Sequence, residues 1–112
     1  MIKVDVGSDF SDSLICRNDK QGDGKYTAVE FRNKYLISLD NEGIWKEKET
    51  IICLDFSKVR TILPSFANEA FAYFLKFNIS PDDIKRLIRF EGLSPVKEMI
   101  INRELTDGYK RH

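Results

Sequence analysis

The chain has 112 residues, 42% hydrophobic and 32% charged, and its 18 Lys and Arg balance 18 Asp and Glu to zero formal net charge. That length accommodates one domain around one core, and the hydrophobic content is that of a globular chain, not a disordered one. Zero net charge argues against direct nucleic-acid binding, since that function needs a cationic surface to displace phosphate counterions. No apolar run approaches the ~20 residues of a membrane span. The opening Met1-Ile2-Lys3-Val4-Asp5 carries charge where a signal peptide would not. The expected location is therefore cytoplasmic, with no membrane contact. Cys16 and Cys53 sit in short apolar segments and read as reduced, buried small hydrophobes.

Taken in chain order, Ile2–Val6 alternates apolar and polar residues, the pattern of a strand with one buried face. Gly7 to Ser13 is polar and turn-rich, and Leu14 to Arg17 is a second short strand. Asn18 to Gly24 reads as a loop. From Thr27 the spacing becomes helical, with Val29, Phe31, Arg32, Tyr35, Leu36 and Leu39 on one stripe. Thr27 and Glu30 form a capping-box pattern, and Gly43 is placed to end the helix in a left-handed conformation. Thr50–Phe56 is the strongest strand, and its continuous apolar run predicts burial on both faces beneath helices.

Pro64 opens the next helix, which the spacing extends to Phe77 with a broad apolar face. Asn78 to Asp83 breaks it, with a single turn starting at Ser80-Pro81, and Arg86–Phe90 alternates as a further strand. Ser94 and Pro95 supply the N-cap and first residue of a last helix that Gly108 ends, and residues 109–112 read as a frayed tail. Strands alternating with helices predict an α/β fold, a mixed or parallel sheet of about four strands flanked by helices. Residues 1–112 form a single domain whose core spans about 27–105, with N-terminal strands and a loop over 1–24.

The most informative stretch runs from Leu54 through Asp55-Phe56-Ser57 to Pro64-Ser65-Phe66-Ala67-Asn68-Glu69-Ala70-Phe71. It reads as an apolar strand, an Asp-Phe pair, a short loop, then Ser-Phe-Ala, an acidic residue and an apolar helix. This resembles the STAS-like domain family of unknown function, itself similar to the STAS domains of sulfate transporters and anti-sigma factor antagonists. The resemblance covers roughly Thr27 to Leu105. It implies the fold and a partner-binding habit, with a histidine-kinase-like ATPase or a helix-turn-helix transcription regulator as the kind of protein partner. True anti-sigma antagonists carry Asp-Ser-Ser-Gly where the strand loop meets the helix. Here Leu63, Pro64, Ser65 and Phe66 hold those places, so only the second serine is kept and Pro64 stands where their phospho-acceptor would be.

The candidate site residues are Ser65, Asp55, Ser57, Phe66 and Glu69, grouped around the helix start as an interaction surface. Ser65 is either a phospho-acceptor near the helix dipole or a local cap. Asp55 is either a partner contact or, the favoured reading, an acceptor for backbone N–H groups in its own loop. Ser57 is a weaker rival to Ser65. Phe66, Phe71, Tyr73, Phe74 and Phe77 are many aromatics for one stripe, leaving open whether some face a partner or all are buried.

Gly22-Asp23-Gly24-Lys25-Tyr26-Thr27 departs from a phosphate loop, lacking the earlier glycine and placing Tyr26 where Ser or Thr is needed. The single histidine is the terminal His112, so no nucleophile–base pair is expected. The two separate cysteines do not make a metal site. No catalytic residue, metal or cofactor is expected. The sequence thus reads as a non-catalytic regulatory protein–protein interaction module. The alternative is a small-molecule or nucleotide sensor at the same helix start. Pairing of the Ile2–Val6 edge between copies leaves a homodimer open.

Overall fold

The computed structural model of the protein describes residues 1–18 and 26–110. The loop expected after Asn18, the glycines compared with a phosphate loop, and His112 lie outside the described residues. Three strands, β1 (Ile2–Asp5), β3 (Ile52–Asp55) and β5 (Ile88–Glu91), form a parallel sheet in the order β1-β3-β5. Two shorter strands, β2 (Ser13–Leu14) and β4 (Thr61–Ile62), pair in parallel as a separate two-stranded sheet. The helices are α1 (Val6–Asp9), α2 (Ala28–Tyr35), α3 (Pro64–Ala70), α4 (Pro81–Leu87) and α5 (Pro95–Asp107). The expected α/β class holds, with parallel pairing in both sheets.

Register explains which face of the larger sheet is covered. Ile2, Ile52 and Ile88 align in one row and Val4, Leu54 and Phe90 in another, and all of these but the exposed Ile2 pack in the core. The intervening rows are Lys3, Cys53 and Arg89, then Asp5, Asp55 and Glu91. Side chains alternate across a strand, so these rows share the opposite face. There every residue except Cys53 is exposed or half-buried. The expected burial of the Thr50–Phe56 strand on both faces holds at Ile52, Cys53 and Leu54, while the flanking strands leave exposed or half-buried residues on the Cys53 side. Cys53 is fully buried beside the Lys3, Arg89 and Glu91 side chains of the flanking strands. Burial, reinforced by the Glu91 carboxylate, pushes its thiol up from the usual range. Both cysteines are free.

The helical boundaries also shift. Thr27 caps α2, accepting from the Glu30 N–H at 3.1 Å, as expected. The helix stops at Tyr35, however, and the chain continues as 3₁₀ turns over Ile37–Leu39 and Glu42–Lys46. Gly43 lies inside the second of these and takes no left-handed conformation. That turn buries Trp45, whose indole N–H donates to the Leu39 carbonyl at 3.1 Å.

The expected Pro64–Phe77 helix breaks at Phe71, and Ala72–Phe77 is 3₁₀. Tightening to three residues per turn re-aims the aromatics. Phe66, Phe71 and Phe74 are fully buried, Phe77 packs against Trp45, and Tyr73 turns away to meet Arg32 and Tyr109. Three of the five aromatics are thus buried, and Tyr73 and Phe77 are half-buried against the core. Asn78, at φ 58°, then closes the segment.

Arg86 and Leu87, expected in a strand, belong to α4. Its start is a full capping box. Ser80 accepts from the Asp83 N–H at 3.3 Å, and the Asp83 carboxylate accepts from the Ser80 N–H at 2.9 Å. Arg86 joins the far end by donating to Asp83 at 2.6 Å and to the Trp45 carbonyl at 2.7 Å. Ser94 caps α5 and Gly108, at φ 89°, ends it, both as expected. The Arg86 ion pair first, and the Ser80 backbone N–H second, hold the Asp83 carboxyl below its ordinary value. A depressed carboxyl contributes stability above its unfolded-state pKa and loses it as pH falls through the folded one. Asp83→Ala should therefore cost about 1 kcal/mol near neutrality. In urea melts, its deficit relative to the parent should shrink as the pH is taken below the ordinary carboxyl range.

Candidate functional site

The C-terminal ends of parallel strands are where α/β folds place their contacts, and here they carry Asp5, Asp55 and Glu91 in one row. Asp55 ends β3 and turns its carboxylate onto its own loop. Its Oδ1 accepts from the Ser57 N–H at 2.9 Å and from the Ser57 hydroxyl. These bonds, hydroxyl first, hold the Asp55 carboxyl below the usual range, so near neutrality it acts as an acceptor. The favoured reading of Asp55 as a loop acceptor is what the geometry shows.

Asp5 does the same for α1. It caps the helix by accepting from the Ser8 N–H at 3.2 Å and ion-pairs with Lys58 at 3.2 Å. The Ser8 backbone bond, with Lys58 secondary, lowers its pKa. Lys58 also donates to the Ser8 hydroxyl at 3.2 Å, tying the loop after β3 to the one after β1.

Two glycines make this rim tight. A Cβ on Gly7 would lie 2.6 Å from the Lys58 Cβ and 2.7 Å from its backbone. One on Gly92, already at φ +69°, would lie 2.7 Å from both the Asp55 Oδ1 and the Ser57 nitrogen. Only glycine fits this approach of the β5 end to the β3 loop.

The five sequence candidates separate. Asp55 and Ser57 are bonded to each other at the rim, with Ser57 exposed. Ser65 lies in the first turn of α3 and is half-buried. It does not cap the helix: Leu63 holds the N-cap position and no side chain bonds there. Phe66 is fully buried against Phe10 and Phe31, so it is a core residue. Glu69 is also buried and belongs to a polar cluster inside the fold. Neither Phe66 nor Glu69 is available at an outer surface.

That cluster escaped sequence reasoning. Glu69 accepts from Arg17 at 3.3 Å, from Arg32 at 2.9 Å, and from the Tyr109 hydroxyl at 2.9 and 3.0 Å. Its neighbour Asn68 accepts from Arg17 and from the Lys110 N–H, each at 2.8 Å. The Asn68 amide donates to Glu104 at 3.2 Å and to the Gly108 carbonyl at 2.8 Å. The Arg32 guanidinium also lies 3.5 Å from the centre of the Tyr73 ring. Tyr109 and Lys110 are therefore docked, which corrects the frayed tail for those residues. Burial first, and the Glu69 carboxylate second, push the Tyr109 phenol up, so it stays a donor. One signal was legible: Arg32 stands within an otherwise apolar helical stripe, which calls for a buried anion. Nothing local in sequence paired it with Glu69.

Removing one member of a buried ion cluster strands the others. Glu69→Ala should destabilise the fold by about 3–5 kcal/mol, read as a lowered urea midpoint with an unchanged slope. Glu69→Gln keeps an acceptor for one arginine and should cost less.

The fold and these contacts set the frame for comparison with known proteins. No curated protein and no solved structure matches the chain. A family model described as a STAS-like domain of unknown function matches residues 27–98, a span running from the cap of α2 into α5. The chain belongs to that STAS-like family.

Proposed function

We propose that the protein is a non-catalytic regulatory module that docks on a partner protein through the sheet rim at Asp55, Ser57 and Lys58 and the adjoining start of α3 at Ser65. The observation that carries this reading is the preorganised rim. Ser57 and Lys58 are exposed on a loop tied down by the Asp55 carboxylate, by Asp5 and by the close approach of Gly92. A polar loop held in one conformation gives up little entropy when a partner orders it. Membership of a STAS-like family supports the same reading, since the STAS domains it resembles include anti-sigma factor antagonists. The partner is of the histidine-kinase-like ATPase or helix-turn-helix regulator kind. Ser65, half-exposed in the first turn of α3, is the residue whose modification would alter such a contact, because added negative charge there meets the helix dipole.

Binding of the purified chain to the ATPase or regulator encoded beside it should be saturable. Ser57→Arg and Lys58→Glu should each weaken it about tenfold or more, and Ser65→Asp should weaken it more than Ser65→Ala. Binding that ignores all four substitutions, or no binding to any such neighbour, would contradict the proposal. Saturable heat with a nucleotide in place of a protein would transfer the site to the sensor reading.

A further inference from the structure

The two outer edges of the parallel sheet differ in how they are finished. On β1 the exposed Asp9 carboxylate accepts from the Asp5 N–H at 3.2 Å, which occupies the C-terminal end of the edge expected to pair between copies. On β5 the Leu87 carbonyl accepts from Ile51 and the Glu91 carbonyl from Phe56, both across the β3 side. Backbone groups alternate along a strand, so those of Phe90 and the Ile88 carbonyl point outward. Beside this edge runs a groove of about 400 Å³, floored by Phe90, Leu93 and Ile101 and walled by Glu98 and Asn102 of α5. Met99, 55% exposed, lies on the same helix.

We infer that this edge is a homodimer interface, in which β5 pairs antiparallel with β5 of a second copy in the register centred on Phe90. The sequence of the strand is what selects a second copy. In that register the two Phe90 residues exchange both backbone hydrogen bonds, since both face outward. Arg89 of each copy then stands opposite Glu91 of the other on the open face of the sheet. Both side chains are accessible, 60% and 35% exposed, and within one chain they pair with each other at 3.1 Å, so dimerisation exchanges that ion pair for two between copies. Opposite charges placed directly across a strand pair are favourable, and like charges are not. The neighbouring register, centred on Arg89, would oppose Arg89 to its own copy, so charge pattern fixes the alignment. The product is a continuous six-stranded sheet β1-β3-β5-β5-β3-β1 with the α5 helices beside the seam. A seam of four-residue strands buries little area, which makes the dimer weak and concentration-dependent. It is independent of the partner-docking reading, because it uses the opposite side of β5 from the loop at Ser57.

Charge swaps test it without touching the core. In sedimentation velocity from low micromolar to near-millimolar protein, the parent chain should shift from monomer to dimer. R89E opposes acid to acid across the seam and E91R opposes base to base, so each alone should remain monomeric. An equimolar mixture of the two should dimerise again, because a strand with two acidic side chains then faces a strand with two basic ones. The double variant restores opposite charges in reversed order and should dimerise by itself. Hydrogen exchange of the parent reads the same contact without a substitution: the Phe90 amide should slow as concentration rises. A parent monomeric throughout, single variants that dimerise as well as the parent, a mixture that stays monomeric, or a Phe90 amide indifferent to concentration would each overturn the inference. Capture of an extended peptide of another protein by this edge, with no self-association, would overturn it too.

Discussion

The arrangement of this fold turns on one buried carboxylate. Glu69, its side chain 8% exposed, sits between two arginines that are themselves about nine-tenths covered. Those arginines come from distant parts of the chain: Arg17 follows β2 and Arg32 lies on α2. Tyr109, from beyond α5, completes the set. A buried ion pair is weak evidence for net stability, because desolvation offsets much of the attraction. Its larger effect is on specificity. With Asn68 filling both its acceptor and donor capacity on the same helix, no buried side-chain polar atom among the described residues lacks a partner. A satisfied network of this kind tolerates one arrangement of its elements and penalises the alternatives.

That constraint explains how a sheet with one open face remains well defined. Parallel sheets usually bury both faces, whereas on this one the face opposite the core buries only Cys53 among its paired residues. The outer rows carry ion pairs, as where Glu91 meets Lys3 of β1 at 4.0 Å and Arg89 of its own strand at 3.1 Å. With α3 packed between α2 and α5 and anchored by its polar side, the loop joining β3 to α3 is held at both ends. The rim is therefore presented on a rigid support, the arrangement a docking surface needs.

Strands were the most legible part of the sequence. Alternation in Ile2–Val6 and the apolar run at Ile52–Leu54 identify β1 and β3 because burial sets the pattern directly. Helix starts were nearly as clear, since Thr27, Ser80 and Ser94 cap by local chemistry that needs no tertiary partner. Helix ends were not. Leu36 and Phe71 close their helices and the chain runs on into 3₁₀ turns, a change of pitch that no local signal announces. The candidate site divides along the same line. Asp55 with Ser57 is a contact between neighbours in sequence, and its loop geometry could be read from composition. Glu69 reads from sequence as a surface residue because its partners lie 37 to 52 positions away. Phe66 reads as an outer contact, whereas the aromatic face of α3 is its core side.

The claim on which the rest stands is that Asn68 and Glu69 lock the chain end and α2 onto α3 in the native state. Amide hydrogen exchange of Lys110, whose N–H is bonded to Asn68 just beyond the last helix, tests this most directly. The account predicts protection comparable to the middle of α5, far above that of a free terminus. Exchange of Lys110 at the rate of an unstructured peptide would contradict it.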